Sequence, residues 1–511
     1  MDFKVIRQTI AQNGVIYAQN VEQSVDCEFN LPDYCQNIGR ILKCQLTGRV
    51  GSAAVGAGNL NLEGMALVWI LYVSDAGELC SYELPVSFSK NVEITGDGDG
   101  AVAYCAPSCD YVNCRAVTER KLDVHGALTL KVRVVQPQSC ELLCGAEGGG
   151  LQLQKSMLPA TESVGVAQKI ISVNEEIDVG QSMSAIKNIL RTNCRAVYSE
   201  CKVLSGKMMI KGEILLDILY NSVTGGQETA QSAIPFNQII DMDGADENNT
   251  FDVSLSVAGC DCKLRTGQGG EIRSVMAAIR ISVTAQVNRE TELPAVCDAY
   301  STMFELSAQR SPVNILRQLP SVQEQFLIKQ NVSMNEGETA KIIHLWCEPQ
   351  KVSAVPAEGG IQITGTALCS IISQNGEGIY YYTEKPLDFE HLCPVGGELP
   401  GDAKMECDVS VVQSSFVMLS GNELEVRAEL NCKCSVTVTT VVQAISSIEL
   451  DESKPKADDS GAALYIYYGK AGENIWSIAQ RYNTLIDDMC EINDISGETL
   501  AADKMLLIPR F

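Results

Sequence analysis

A domain-sized pattern that recurs three times constrains this chain more than any other feature of its sequence. Short runs of alternating apolar residues are centred on a shared glycine, found at Gly64, Gly212 and Gly365. The first run reads Leu-Asn-Leu-Glu-Gly-Met-Ala-Leu, and similar runs occupy residues 208–215 and 361–368. The glycines lie about 150 residues apart, which is the length of a domain and much longer than one solenoid turn. The sequence therefore predicts three related domains in tandem.

Two further marks keep nearly the same distance from each glycine. A proline follows after 21, 23 and 21 residues, at Pro85, Pro235 and Pro386. A run with period-two alternation follows 39, 40 and 40 residues after the proline, near Val124, Val275 and Val426. Such regular spacing favours one fold used three times.

Strand-like alternation dominates all three repeats. Apolar and β-branched residues alternate with polar ones, which is typical of strands with one buried face. Helical spacing is confined to three short pieces, at residues 36–44, 185–194 and 311–318. We therefore expect a mainly β protein built from three related β-sandwich or open-barrel repeat domains. The predicted repeat domains cover residues 1–150, 151–310 and 311–448.

The end of the chain reads as a separate module. Residues 449–463 are polar and charged, which predicts a flexible acidic linker. Residues 464–511 then show a short aromatic strand, two short helices and an apolar strand that a proline ends. The first helix carries one apolar face, formed by Ile475, Ile478, Ala479 and Tyr482. The pattern predicts a small βααβ domain.

Three separated blocks of this module resemble a LysM domain. They are Gly-Glu-Asn-Ile-Trp-Ser-Ile-Ala from Gly472, Asn-Asp at residues 493–494, and Lys-Met-Leu-Leu-Ile-Pro from Lys504. The resemblance implies a groove for N-acetylglucosamine polymers between residues 472–475 and 493–496. Two loops depart from the family pattern, with Gly-Glu-Asn in place of Gly-Asp-Thr and Ala-Ala-Asp-Lys in place of Pro-Gly-Gln-Lys. Because both changes alter the turn geometry, a protein ligand and a glycan ligand remain alternatives.

The same loops supply the residues expected to bind a partner or a glycan. They are Gly472, Glu473, Asn474, Ile475, Trp476, Asn493, Asp494 and Ile495. Trp476 lies one residue off the apolar helix face, so its indole is expected at the edge of the module, where aromatic side chains often anchor interfaces. Alternatively, Trp476 caps the module's small core.

Charge and hydropathy exclude several classes of partner. With 39 basic against 64 acidic residues, the chain has a formal net charge of −25 and no basic stripe for phosphates. We expect no nucleic-acid partner, and no direct membrane insertion because no apolar run is long enough to span a bilayer. No secretory signal is visible, so the chain is expected in the cytoplasm.

Cysteine and histidine patterns predict neither a metal site nor catalysis. Twenty-one cysteines without an export signal indicate reduced thiols, some of which could cross-link molecules after assembly. No Cys-x-x-Cys pair occurs, and the histidines are His125, His344 and His391, so no metal or other cofactor is expected. The sequence also lacks phosphate-binding loops, zinc-protease motifs and nucleophile elbows. We expect no enzymatic activity.

Three β-rich repeats followed by one LysM module resemble the SPOCS-domain proteins of spore-forming bacteria. The resemblance implies a spore-coat morphogenetic scaffold in the mother-cell cytoplasm, at the forespore surface or in the coat. It implies protein partners as well: other coat proteins and the base-layer ATPase of the SpoIVA type, which the LysM module would contact. The alternative is a protein that binds peptidoglycan through the LysM module. A hydrolase with a LysM targeting module is a third hypothesis, for which the sequence offers no catalytic residues.

Overall fold

Six strands recur in the same order three times along the chain. The computed structural model describes residues 4–267, 270–335, 337, 339–396, 399–420, 422–456 and 464–509. The first set is β1 (Lys4–Asn30), β2 (Ile38–Gly56), β3 (Asn59–Ser74), β4 (Leu79–Glu93), β5 (Val102–Ala116) and β6 (Lys121–Glu147). The second is β7 (Leu151–Asp178), β8 (Ile186–Leu204), β9 (Lys207–Ser222), β10 (Gln227–Asp241), β11 (Thr250–Thr266) and β12 (Ile272–Ser301). The third is β13 (Phe304–Ser333), β14 (Lys341–Ala357), β15 (Gly360–Gln374), β16 (Tyr380–Pro394), β17 (Lys404–Ser420) and β18 (Glu423–Pro455).

Each set forms two three-stranded antiparallel sheets. In the first set the strand orders are β1-β6-β5 and β2-β3-β4, and the other two sets repeat this arrangement. The two sheets enclose one apolar core per set, to which Leu62 of β3 and Leu130 of β6 contribute in the first. The prediction of a mainly β protein with three related sandwich repeats is confirmed.

The shared glycine lies in the middle strand of each second sheet, where a phenylalanine ring covers it. A Cβ atom at Gly212 would lie 2.7 Å from Cζ of Phe236, its partner on the edge strand β10. The same contact recurs in the other two repeats, at 2.5 Å each, between Gly64 and Phe88 and between Gly365 and Phe389. The repeated prolines lie on β4, β10 and β16, edge strands in which a missing N–H is tolerated.

The three short helices predicted from the sequence are wrong. Residues 38–44 lie within β2, residues 186–194 within β8, and residues 311–318 within β13. In β2 the pairing with β3 shifts after Ile38 and again after Ile41. Each shift inserts one extra residue, so Ile38, Ile41 and Cys44 come to one face of the strand. A spacing of three residues on one face imitates the period of a helix.

The outer faces of the three second sheets meet in a shared apolar centre. One buried cluster joins Trp69 of β3, Leu219 of β9 and Ile372 of β15. The Arg191 guanidinium packs against both indoles of this cluster, with its central carbon 4.1 Å from the ring centroid of Trp346 and 5.8 Å from that of Trp69. The repeats therefore pack around one another and share buried surface.

The long strands β1, β6, β7, β12, β13 and β18 continue past the sandwiches and pack together. One buried cluster there includes Leu142, Leu293 and Ala444, from β6, β12 and β18. A second includes Leu143, Val296 and Ile445 from the same strands. We call this extension the stem; it comprises residues 4–13, 137–147, 151–162, 288–301, 304–318 and 438–455.

One cysteine pair departs from the predicted reduced state. Cys407 on β17 and Cys434 on β18 form a disulfide with their Cα atoms 4.4 Å apart. The two residues are direct partners across the strands. A sequence does not reveal which residues stand opposite each other across strands, so this pair could not be foreseen.

The C-terminal module has the predicted element order. Its elements are β19 (Leu464–Gly469), α1 (Ile475–Tyr482), α2 (Ile486–Ile492) and β20 (Lys504–Pro509). The predicted linker begins too early, because residues 449–455 belong to β18 and several of them pair with β13 in the stem. Their polar composition reflects side chains that face solvent from a strand. Residues 457–463 lie outside the described residues. Within the described ranges, every helix is too short or too polar to cross a bilayer.

Candidate functional site on the C-terminal module

Local signals define the helices of the module. Asn474 caps α1, since its Oδ1 accepts a hydrogen bond of 3.2 Å from the backbone N–H of Ser477. Asn483 ends the helix in the left-handed conformation, with φ of 51°. Ile478 of α1 and Met489 of α2 are buried against the hairpin formed by β19 and β20. The module thus has a core of its own.

Trp476 is buried against the stem. Its ring centroid lies 4.9 Å from that of Tyr300 on β12, in an edge-to-face arrangement of 65°. Its Nε1 donates a hydrogen bond of 2.9 Å to Oδ2 of Asp298, and Arg310 lies 2.7 Å from the other oxygen of that carboxylate. Trp476 does anchor an interface, but the interface is with another part of this chain.

Further polar contacts hold the module on the stem. The Tyr300 hydroxyl donates a hydrogen bond of 2.7 Å to the carbonyl of Thr484, and burial raises the pKa of this tyrosine. The N–H of Ile486 donates to Oε1 of Gln152 at 3.3 Å. Together these contacts form what we call the seat. It consists of Trp476, Thr484 and Ile486 on the module and Gln152, Asp298 and Tyr300 on the stem.

Lys456 links the end of β18 to the module. Its Nζ donates to Oδ1 of Asn483 at 2.5 Å and to the carbonyl of Ser301 at 2.9 Å. Burial lowers the pKa of this lysine. The last described residue before the module therefore bonds to both the module and the stem, next to the seat.

The loop that precedes α1 is joined to the loop that follows α2. The N–H of Gly472 donates to the carbonyl of Leu500 at 2.8 Å, and Leu500 returns a bond of 2.9 Å to the carbonyl of Glu473. The N–H of Ile475 donates to the carbonyl of Glu498 at 2.9 Å. These backbone groups of the predicted sugar-binding loop are thus already occupied within the module.

The eight residues predicted to bind a partner do not form one exposed surface. Ile475, Trp476 and Asn493 are buried. Asn493 has a structural role, because its amide donates to the carbonyls of Met489 at 2.7 Å and Leu507 at 2.6 Å. The remaining five residues are partly or fully exposed: Gly472, Glu473, Asn474, Asp494 and Ile495.

Sequence reasoning missed an exposed apolar face on the hairpin. Leu464, Ile466 and Tyr468 on β19 have 45%, 61% and 75% of their surface exposed, and Met505 on β20 has 49%. Tyr468 and Met505 stand directly opposite each other. We call these four residues the hairpin face. Its signal was the unbroken run of large side chains at residues 464–468, because only one face of a strand can pack on the module, and that face carries Tyr465 and Tyr467.

Comparisons with protein-family models identify two parts of the chain. Residues 185–265, within the second repeat, match the family described as SipL, SPOCS domain. Residues 470–509 match the LysM domain. No curated protein and no solved structure matches the chain. The chain therefore carries a SPOCS domain and a C-terminal LysM domain, the combination that the sequence resemblance predicted. Both are binding or adaptor families, and the SPOCS match connects the chain with sporulation and the spore coat.

Proposed function

We propose that this protein is a non-enzymatic adaptor of spore-coat morphogenesis. It works in the mother-cell cytoplasm at the forespore surface and tethers the coat there. Its LysM module binds the coat's base-layer ATPase of the SpoIVA type, while the three repeats serve as a rigid scaffold for other coat proteins.

The hairpin face is the observation that carries the protein-binding part of this proposal. Four large apolar side chains stand together on a small domain, with between 45% and 75% of each exposed. Contiguous apolar surface of this kind is typical of protein interfaces. Tyr468, the most exposed of the four, has the aromatic side chain with a polar tip that is common among residues dominating binding energy.

The loop geometry supports a protein ligand over a glycan. A glycan groove needs backbone groups free to bond the sugar, whereas Gly472, Glu473 and Ile475 bond to residues 498–500. Trp476, the aromatic residue that follows Ile475 in the chain, is covered by Tyr300. The exposed loop residues, such as Gly472 and Asp494, form the proposed rim of the protein contact.

Recovery of the ATPase from sporulating cells tests the role of the module. The intact chain should retain the ATPase on an affinity resin, and a chain ending at Lys456 should lose it. Equal recovery by both chains would exclude the module as the docking element.

Point variants then test the hairpin face. Ile466→Ser combined with Tyr468→Ser should reduce recovery of the ATPase, because both side chains are exposed and the module's core does not need them. Val223→Ser is the matched control, since Val223 is similarly exposed in the turn between β9 and β10.

The glycan alternative makes a different prediction. Sedimentation with purified peptidoglycan should leave the intact chain in the supernatant. Co-sedimentation that is abolished by removal of the module, and unaffected by the two serine substitutions, would favour peptidoglycan as the ligand.

A further inference from the structure

Three strands of the third repeat bring two thiols, an imidazole and a carboxylate together. One ring nitrogen of His391 and the Sγ atoms of Cys393 and Cys432 all lie within 4.8 Å of one another. The two sulfur atoms are 3.2 Å apart. Glu324 completes the group, with its Oε2 2.9 Å from Nε2 of His391.

Strand geometry explains why residues distant in sequence meet there. His391 and Cys393 are two residues apart on β16, so their side chains point to the same face. Cys432 on β18 stands directly opposite Glu324 on β13. The first sheet thus supplies one thiol and the carboxylate, and the second sheet supplies the other thiol and the imidazole.

The imidazole is held in place before any ligand arrives. Phe326 stacks on the His391 ring at a centroid distance of 4.2 Å and an interplanar angle of 7°. Glu324 bonds to one ring nitrogen, so the other nitrogen remains available. Both cysteines are fully buried, while about a quarter of the His391 side chain and a third of that of Glu324 are exposed. An ion could therefore reach buried sulfur ligands from the surface through the polar half of the cluster.

The chain's own repeats show that the fold does not need these residues. In the first repeat, the positions of Cys393 and Cys432 are taken by Val92 and Leu130, and in the second by Ile240 and Val283. The equivalence of the Cys393 positions follows from the pairing of each edge strand with the shared-glycine strand. That of the Cys432 positions follows from the pairing of the last strand of each repeat with its first strand. Leu130, Ile240 and Val283 are buried in the hydrophobic cores of their repeats, and Val92 is partly buried against the core of the first. Aliphatic side chains occupy these two positions in the first and second repeats, and only the third repeat has cysteines there.

We propose that Cys393, Cys432 and His391 bind a zinc-class divalent ion, with Glu324 orienting the imidazole. Two thiolates and one imidazole suit Zn²⁺, which prefers sulfur and nitrogen ligands in tetrahedral geometry. A ligating histidine usually donates its second N–H to a carboxylate, which is the position of Glu324. Binding releases the protons of the two thiols to solvent, and a water molecule completes the coordination. This site could not be predicted from the sequence, because its ligands come from separate strands and no Cys-x-x-Cys pair is present.

Metal content and cobalt spectroscopy on the full-length protein test the site. Protein purified with zinc in the medium should contain about one zinc ion per chain. After reduction and removal of metal, one equivalent of Co²⁺ should give the absorption of tetrahedral cobalt together with a thiolate-to-cobalt charge-transfer band. Both signals should disappear on addition of excess Zn²⁺.

The repeats supply substitutions that suit the fold. Cys393→Val and Cys432→Val install the side chains of Val92 and Val283, so both variants should fold and lose the zinc and the cobalt spectrum. Cys369→Val is the matched control, because Cys369 is equally buried in the same core but lies outside the cluster, and it should keep both signals.

Glu324→Gln distinguishes an orienting carboxylate from a merely structural one. It should weaken zinc binding about 10- to 100-fold while preserving the cobalt spectrum. The proposal would be overturned if the three cysteine variants had the same metal content and spectrum. It would equally be overturned if peptide mapping of the purified protein showed Cys393 and Cys432 joined in a disulfide.

Discussion

Arg191 shows how one charged side chain is accommodated where the three repeats meet. Its guanidinium packs against Trp346 and Trp69, and its Nη2 lies 3.2 Å from the carboxylate of Glu348. The arginine side chain is almost fully buried, whereas 41% of the Glu348 side chain is exposed. Because the carboxylate remains partly in water, we expect the indole contacts and the packed methylene groups to contribute more than the ion pair.

Arg191→Ala should therefore destabilise the protein by about 2 kcal/mol through lost packing and cation–π contact. Arg115→Ala is the control, since Arg115 also pairs with a carboxylate but has 76% of its side chain exposed. It should change stability by less than about 0.5 kcal/mol. Denaturant unfolding measures both, and equal effects of the two substitutions would contradict the role assigned to the centre.

His344 in the same centre makes stability depend on pH. Burial, aided by the nearby Arg191 charge, lowers the pKa of His344 to about 3. The unfolded chain therefore takes up a proton on this histidine at a higher pH than the folded chain does. Stability should fall as the pH drops below about 6.5, the ordinary histidine value, toward 3. His344→Gln should flatten the pH dependence of unfolding free energy between pH 7 and 5; an unchanged slope would show that His344 is not buried as a neutral group.

At the scale of elements, the alternation of apolar residues predicted the strands correctly. A β-bulge explains why a segment with helical spacing is a strand in the structure. Three apolar residues at intervals of three, such as Ile38, Ile41 and Cys44, indicate a helix when read alone. In the folded chain two inserted residues bring them to one face of β2. Whether a strand contains a bulge depends on its partner strand, and a single sequence does not show that partner.

The glycine contact at the middle of each second sheet gives a prediction at this scale. Gly212→Ala would push a Cβ atom against the Phe236 ring and the carbonyl of Val197, so we expect a loss of about 1–3 kcal/mol. Gly376→Ala is the control, because Gly376 has no atom within 4 Å of an added Cβ and does not need a positive φ. Thermal unfolding compares them. Equal melting temperatures of the two variants would mean that the shared glycine does not serve close packing.

At the scale of the molecule, the contacts of the seat join the LysM module to the stem of the three repeats. The sequence revealed the module and its elements, since these depend on local spacing. It did not reveal that Trp476 faces Tyr300, because that contact joins positions 176 residues apart along the chain. The sequence also predicted the binding residues in the loops, whereas the exposed apolar surface lies on the hairpin.

Tyr300→Ala should release the module from the stem without altering the module itself. Amide hydrogen exchange in α1 and around Thr484 should become faster, because the aromatic contact and the bond to the Thr484 carbonyl are lost. Tyr300→Phe keeps the ring and should cost only about 1 kcal/mol for the missing hydrogen bond. Tyr111→Ala, at an exposed position on β5, is the control. Exchange that is the same in all three variants would show that Tyr300 does not hold the module.

The adaptor role depends on a direct contact between the hairpin face and the base-layer ATPase. The most direct measurement is the affinity of the purified full-length protein for the purified ATPase, compared with that of the Ile466→Ser/Tyr468→Ser variant and the Val223→Ser control. We predict measurable binding by the unmodified protein and the control, and an affinity at least about tenfold lower for the double variant, as loss of an aromatic anchor implies. Equal affinities for all three proteins, or no binding by the unmodified one, would contradict the account.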